Sequence, residues 1–271
     1  MIIDTHCHYN LEPFFGTFES ETWLPYVQTA EEHTVGAALI PGTDKESSRR
    51  ALHIAAQHRA LWAAIGFHPH EAHTLSQGEV AETLSQLLQE YGADKCLAIG
   101  ETGLDYFQLD PANQAEREQQ QRVFAEHILF ANEHNLPLSI HVRDTETTAY
   151  EDVLKLLKQH KKAGLPFILH CVSGPEAYIR EAVTLGGYVS CAGNATYPSA
   201  HSVRAAIAAA PPDRILVETD APFLAPQKHR GNKCEPWMIQ STVEYLHMAQ
   251  LVTPEQLLHN TITLFPQMKV V

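Results

Sequence analysis

Eight short apolar runs, each separated from the next by a longer amphipathic segment, constrain the fold of this chain more than any other feature. The runs are "MIIDTH", "GAALIPG", "LWAAIGFH", "CLAIGE", "LPLSIHV", "FILHCV", "GYVSCAG" and "RILVETD". They are continuous rather than alternating, which is typical of parallel strands covered on both faces. Intervening segments such as "SQGEVAETLSQLLQEY" place apolar residues at helical spacing.

This alternation predicts an α/β fold, a single (β/α)8 TIM barrel. A chain of 271 residues is ordinary for such a barrel, and we interpret residues 1–271 as one barrel domain. The alternative is an open doubly wound sheet. That fold usually carries a glycine-rich turn after its first strand, and "THCHYN" contains no glycine.

Composition restricts the setting and the partners. The formal net charge of −13 disfavours nonspecific nucleic-acid binding through a broad basic face. The five cysteines form no C-x-x-C pair, which favours a reducing compartment. No apolar run approaches the roughly 18 residues of a membrane span, and no secretory signal is recognisable. We therefore expect a cytoplasmic location, no membrane association and no obligate protein partner.

Polar side chains interrupt the ends of five predicted strands. They are His6, His8, Glu101, His141, His170 and Asp220. In a barrel the carboxyl ends of all strands open on one face, so these six groups are expected to meet there. Residues i and i+2 of a strand point to the same side, which explains the spacing of the first two histidines.

Four imidazoles and two carboxylates form a ligand set for Zn²⁺, Mn²⁺ or a related divalent ion. Because six ligands exceed the three of a common catalytic zinc, we predict two ions bridged by Glu101. Asp220 is predicted to be both a ligand and the catalytic base. The predicted ligand pairs are His6 with His8, and His141 with His170. Each residue alone is more often a core histidine or a helix cap. Six such polar groups buried together, however, require cations to compensate their charges and lone pairs.

Two further residues are predicted to contact substrate. His68, in "GFHPH" after the third strand, lies where the barrel mouth is expected. Arg143 follows His141 by two residues and could bind a phosphate or carboxylate. An ion pair of Arg143 with Asp144 or Asp105 is an equally weighted alternative.

Two loops bear on the substrate. The segment "YNLEPFFGTFESETW" is rich in aromatic residues, which either stack on bases or, more commonly, pack against the first helix. The segment "APFLAPQKHRGNKCEP" is locally basic and suits an anionic substrate. Histidines in helical segments are predicted to lie at the surface. They are His33, His53, His58, His127, His134, His160 and His247.

The chain resembles the TatD family of metal-dependent deoxyribonucleases over essentially its whole length. The resemblance rests on "DTHCH", "GFHPH", "IGETGLDY", "IHVRDT", "LHCVSG", "VETDAPFLAP" and "NTITLF". It implies the same six ligands and a cytoplasmic phosphodiester hydrolase that often acts from the 3′ end of DNA with Mg²⁺. Two departures, Cys234 in place of a common asparagine and the long aromatic loop, are expected at substrate contacts.

We therefore predict a 3′–5′ deoxyribonuclease on single-stranded DNA with two divalent ions (Mg, Zn, Mn or similar). A metal-bound hydroxide would attack phosphorus and Asp220 would take its proton. One alternative is a metal-dependent amidohydrolase or esterase acting on a small molecule or an aminoacyl-tRNA ester. A neutral, closed pocket would favour that alternative, and an open groove with cations on its rim would favour nucleic acid. The other alternative is a non-catalytic metal-binding scaffold.

Overall fold

Eight parallel strands form one sheet in the computed structural model, which describes residues 1–107, 109 and 113–269. They follow one another around the sheet in chain order, and each pairs in parallel with the next. The strands are β1 (Ile2–Asp4), β2 (Val35–Pro41), β3 (Leu61–Ile65), β4 (Cys96–Asp105), β5 (Leu138–Arg143), β6 (Phe167–Leu169), β7 (Gly187–Cys191) and β8 (Ile215–Val217).

Contacts between the first and last strands nearly close the sheet into a barrel. The backbone N–H of Thr5 donates to the carbonyl oxygen of Val217 at 3.1 Å. The buried carboxylate of Asp4 accepts from the N–H of Thr219 at 3.0 Å and from its hydroxyl at 2.6 Å. This arrangement confirms the predicted (β/α)8 barrel.

Helices follow the strands along the chain and cover the outside of the sheet. They are α1 (Leu24–Glu32), α2 (Lys45–Gln57), α3 (Glu79–Tyr91), α4 (Gln114–His134), α5 (Thr148–His160), α6 (Glu176–Thr184), α7 (His201–Ala208), α8 (Ile239–Met248) and α9 (Pro254–Leu264). Among the described residues, none of these helices combines the length and the apolar character needed to cross a bilayer.

The aromatic loop after β1 is part of the core. Tyr9, Phe14, Phe15 and Trp23 are all buried, and the ring of Phe14 lies 4.7 Å from that of Tyr26 on α1. Of the two alternatives for this loop, packing against the first helix is therefore correct for Phe14, and burial keeps the other three rings from stacking on bases.

A close approach of glycines brings β3 and β4 together beneath the barrel mouth. A Cβ atom on Gly66 would lie 2.8 Å from the backbone of Gly100, so any larger residue would separate the two segments. The next residue, Glu101, donates its backbone N–H to the carbonyl of Gly42 at 2.7 Å. These contacts hold Glu101 close to the segment that carries His68.

The prediction that His127 lies at the surface is wrong. Its side chain on α4 is fully buried and accepts the backbone N–H of Phe67 at 3.0 Å. Its other ring nitrogen contacts the carbonyl of Val123 at 2.7 Å. Burial lowers the pKa of His127 from 6.5 to about 4, so the ring is neutral in the folded protein. His127 thus anchors the segment just before His68.

The buried neutral ring of His127 should make stability sensitive to acid. The unfolded chain binds a proton near pH 6.5 but the folded protein only near pH 4, so this stabilisation is complete above pH 6.5 and is lost as pH falls toward 4. When the pH falls from 7 to 5, the free energy of unfolding of the wild type should decrease by about 2 kcal/mol more than that of His127→Gln. Urea titrations with chelator present measure this difference. His247→Gln, at an exposed histidine of α8, should follow the wild-type curve, and parallel curves for all three proteins would contradict the assignment.

Candidate metal centre

The barrel brings all six predicted ligand residues to its carboxyl-terminal mouth. His6 and His8 follow β1, Glu101 and His141 lie within β4 and β5, His170 directly follows β6, and Asp220 lies three residues beyond β8. Glu101 does not end its strand as the sequence pattern indicated. The strand continues to Asp105, and its register with β5 is irregular between Ile99 and Thr102.

The buried carboxylate of Glu101 faces a different pair of imidazoles with each of its oxygens. Its Oε1 lies 3.0 Å from Nε2 of His170 and 3.1 Å from Nδ1 of His141. Its Oε2 lies 3.4 Å from Nε2 of His6 and 3.7 Å from Nε2 of His8. One carboxylate therefore contacts both predicted histidine pairs.

Asp220 completes the side of the cluster formed by His6 and His8. Its Oδ1 lies 3.6 Å from Nε2 of His6 and 3.4 Å from Nε2 of His8. The two Nε2 atoms are themselves 3.2 Å apart, so two imidazole nitrogens and a carboxylate oxygen converge on one point. Nitrogen and carboxylate donors that converge within 4.8 Å of one another could hold a metal ion. The donor set therefore fits divalent cations.

Mutual contacts set the charge states of the cluster. Burial opposes ionisation of Glu101, but the charge of His170 and hydrogen bonds from His141 and His170 hold the pKa of Glu101 well below its usual range. Burial opposes protonation of His170, yet Glu101 raises the pKa of His170 well above its usual range. Burial also opposes ionisation of Asp220, and the hydrogen bond from His8 keeps its pKa below the usual value. Both carboxylates are thus ionised at neutral pH, as metal binding requires.

Two buried carboxylates that the sequence pattern did not assign to the metal centre contact the outer nitrogens of the second histidine pair. Oε1 of Glu218 lies 3.3 Å from Nδ1 of His170 and accepts the backbone N–H of Cys171 at 2.7 Å. Oδ2 of Asp105 lies 3.1 Å from Nε2 of His141. Such contacts fix the tautomer and orientation of a ligating histidine. Their sequence signal is an acidic residue two or four positions from a candidate ligand.

His68 reaches the cluster through its Nε2 atom, which lies 3.6 Å from Oε1 of Glu101. Its Nδ1 accepts the backbone N–H of His70 at 3.2 Å. Burial lowers the pKa of His68 to about 3, so the ring is neutral and its hydrogen resides on Nε2. His68 therefore presents a donor toward the centre, as a residue that contacts substrate would.

Arg143 is exposed and lines the cleft above the cluster. Its guanidinium stacks on the ring of Phe107 at 3.8 Å. Within the described part of the chain it makes no ion pair with Asp105 or Asp144. Asp105 instead faces His141, and Asp144 accepts the N–H of Ala149 at 2.9 Å. The geometry leaves Arg143 available to a ligand in the cleft.

The loop after β8 contributes less to the cleft than its sequence suggested. Lys228, Arg230 and Lys233 are exposed, but they do not line the cleft of about 600 Å³ that contains the cluster. Cys234 is 1% exposed, so its replacement of asparagine lies in the core. The aromatic loop and Cys234 were both expected at substrate contacts, and that expectation is wrong for Cys234 and for the four buried rings of the loop, which the protein interior encloses. Leu11 of the same loop does line the cleft.

A parallel barrel whose mouth gathers histidines around a shared carboxylate defines the class of barrel metal-dependent hydrolases. The model of the TatD related DNase family matches residues 3–267. The metal-dependent hydrolase YabD of Bacillus subtilis is 31% identical over 257 residues, with 95% of this chain and 94% of YabD covered. The metal-dependent hydrolase YjjV of Escherichia coli is 33% identical over 269 residues, with 97% of each chain covered.

The crystal structure of Escherichia coli YjjV, described as a TatD homologue, has the same fold. It aligns with a TM-score of 0.83 and 30% identity and covers 98% of each chain. The chain therefore belongs to the TatD family of metal-dependent hydrolases, and the resemblance noted from its motifs is confirmed.

Removal of the Glu218 charge should weaken metal binding without unfolding the barrel. Glu218→Gln keeps the shape of the side chain but no longer holds the His170 tautomer, so the affinity for Mn²⁺ should fall roughly 10- to 100-fold. Isothermal titration of chelator-treated protein with Mn²⁺ measures this change. Glu126→Gln, which changes a carboxylate of α4 paired with Arg122, should bind as the wild type does. Equal affinities for all three proteins would show that Glu218 does not position His170.

Proposed function

We propose that this chain is a divalent-metal-dependent phosphodiesterase, a 3′–5′ deoxyribonuclease acting on single-stranded DNA. The observation that carries the proposal is the carboxylate of Glu101, which has an imidazole pair on each oxygen beneath an open cleft of about 600 Å³. The name of the matching family supports a DNA substrate. We further propose that residues 1–271 form one domain that acts in the cytoplasm without an obligate partner.

The cluster would hold two divalent ions, with Glu101 shared between them. His6, His8 and Asp220 would be ligands of the first ion. His141 and His170 would be ligands of the second. A donor set so rich in nitrogen favours Zn²⁺ over Mg²⁺, which prefers oxygen ligands. When bound, such ions lower the pKa of water and polarise phosphoryl oxygens.

The protein's own groups would supply proton transfer and orientation. Asp220 is the more exposed of the two carboxylates, with 14% of its side chain accessible against 5% for Glu101, and it is ionised. It would therefore accept the proton of the attacking water. Neutral His68 would donate its Nε2 hydrogen to a phosphate oxygen. Arg143, held flat by Phe107, would bind a second phosphate oxygen through its planar guanidinium.

A metal-dependent amidohydrolase or esterase is the second candidate. The same centre would serve attack on a carbonyl carbon, whether in a small molecule or in an aminoacyl-tRNA ester. One observation favours it, because Arg143 is the only lysine or arginine among the described residues that line the cleft. The openness of the cleft and its arginine rim nevertheless fit a phosphodiester chain better.

End-labelled DNA tests the proposed reaction directly. Metal-loaded protein should shorten 5′-labelled single strands stepwise from the 3′ end and should leave a blunt duplex largely intact. Chelator should abolish this cleavage, because the water then loses its activation. Glu101→Gln and Asp220→Asn should each reduce the rate by at least about 100-fold, the scale of general acid–base catalysis.

Full activity of both variants would contradict the mechanism. Inert DNA together with hydrolysis of ester or amide substrates would favour the second candidate instead. Thermal unfolding of each metal-free variant beside the wild type separates loss of chemistry from loss of fold.

Replacement of Arg143 should impair the reaction of anionic substrates. Arg143→Gln should lower kcat/KM on single-stranded DNA about 10- to 150-fold, since a hydrogen bond to a charged group contributes roughly 1.5–3 kcal/mol. Steady-state kinetics on a fluorescent oligonucleotide measure it. Arg49→Gln removes a guanidinium that stacks on Phe18, away from the cleft, and should leave kcat/KM unchanged. Similar values for both variants would remove Arg143 from the substrate site.

A further inference from the structure

Phe223 exposes an aromatic ring at the mouth of the barrel. Its relative exposure is 51%, whereas the aliphatic side chains that line the same cleft, Leu11, Val142 and Leu224, are half-buried. Single exposed apolar residues are common on protein surfaces, so exposure alone carries no meaning. The position of this ring is what distinguishes it, because the ring lines the cleft that contains the candidate metal centre.

The ring is held in place by the site itself. The backbone N–H of Phe223 donates to the carbonyl of Asp220 at 2.8 Å, which ties it to a proposed ligand. The ring also packs edge-on against the imidazole of His8, with centroids 6.0 Å apart and an interplanar angle of 77°. The ring, half of it exposed, thus lines the cleft beside the proposed position of the reacting phosphate.

The two sides of the cleft differ in character. Leu11 and Leu224 line it together with Phe223, in the part of the mouth formed by the segments that follow β1 and β8. Strands β6 and β7 lie between β8 and β5 in the sheet, and β5 carries Arg143 on the other side of the mouth. An aromatic wall on one side and a guanidinium on the other match a nucleotide, which has a flat base and a charged phosphate.

We propose that Phe223 is the platform on which the nucleobase next to the scissile phosphate stacks. The inference rests on the proposed nuclease function and adds a determinant of its specificity. The base of an unpaired 3′ end can turn its face toward such a ring without breaking a base pair, so the platform favours single-stranded ends. Stacking of a base on an aromatic side chain contributes roughly 1–3 kcal/mol, which corresponds to about 5- to 150-fold in rate constant or affinity.

Substrates with and without the terminal base test this role. Two single-stranded oligodeoxynucleotides of equal sequence are compared, one with a normal 3′-terminal nucleotide and one with an abasic tetrahydrofuran residue there. The metal-loaded wild type should show a kcat/KM at least about 5-fold higher for the base-bearing strand. Phe223→Ala and Phe223→Leu should lose this preference, because neither has a ring, and Phe223→Trp should retain it.

Met248→Ala is the matched control, since it removes an apolar side chain that is 82% exposed on α8, outside the cleft. It should keep the wild-type preference. Equal cleavage of both strands by the wild type, or an undiminished preference in Phe223→Ala, would overturn the platform and leave the nuclease standing. Failure of the wild type to cleave either strand would instead overturn the nuclease, and the platform with it.

Discussion

The carboxylate of Glu101, buried among imidazoles, is the group on which the rest of the site depends. Five histidine nitrogens lie within 3.7 Å of its two oxygens, from His6, His8, His68, His141 and His170. An ionised carboxylate with so little access to water is costly unless charges of opposite sign surround it. The barrel makes this arrangement possible, because strands distant in sequence end at one mouth. Metal dependence is the chemical consequence of that convergence.

The two halves of the centre are held by different means. Asp105 and Glu218 orient the rings of His141 and His170 through their outer nitrogens. On the other side, a backbone hydrogen bond positions the ligands, because the carbonyl oxygen of His6 accepts the N–H of Asp220 at 2.9 Å. The last contact also joins the two ends of the sheet. The same contact therefore helps to close the barrel and to assemble this half of the site.

The sequence predicted the barrel and the convergent groups because both follow from local periodicity. Continuous apolar runs require coverage on both faces, and the spacing of His6 and His8 requires a common direction. The role of Glu218 and the burial of His127 were not predicted, because burial of a polar side chain depends on which distant segment covers it. The exposure of Phe223 was not predicted either, because a phenylalanine after a strand is ordinarily a core residue.

Anomalous diffraction from crystals grown with Mn²⁺ tests the central claim most directly. Two anomalous peaks are expected at the barrel mouth, one beside His6, His8 and Asp220 and one beside His141 and His170. The carboxylate of Glu101 should contact both peaks. A single peak that makes no contact with Glu101, or peaks confined to other parts of the surface, would contradict the account.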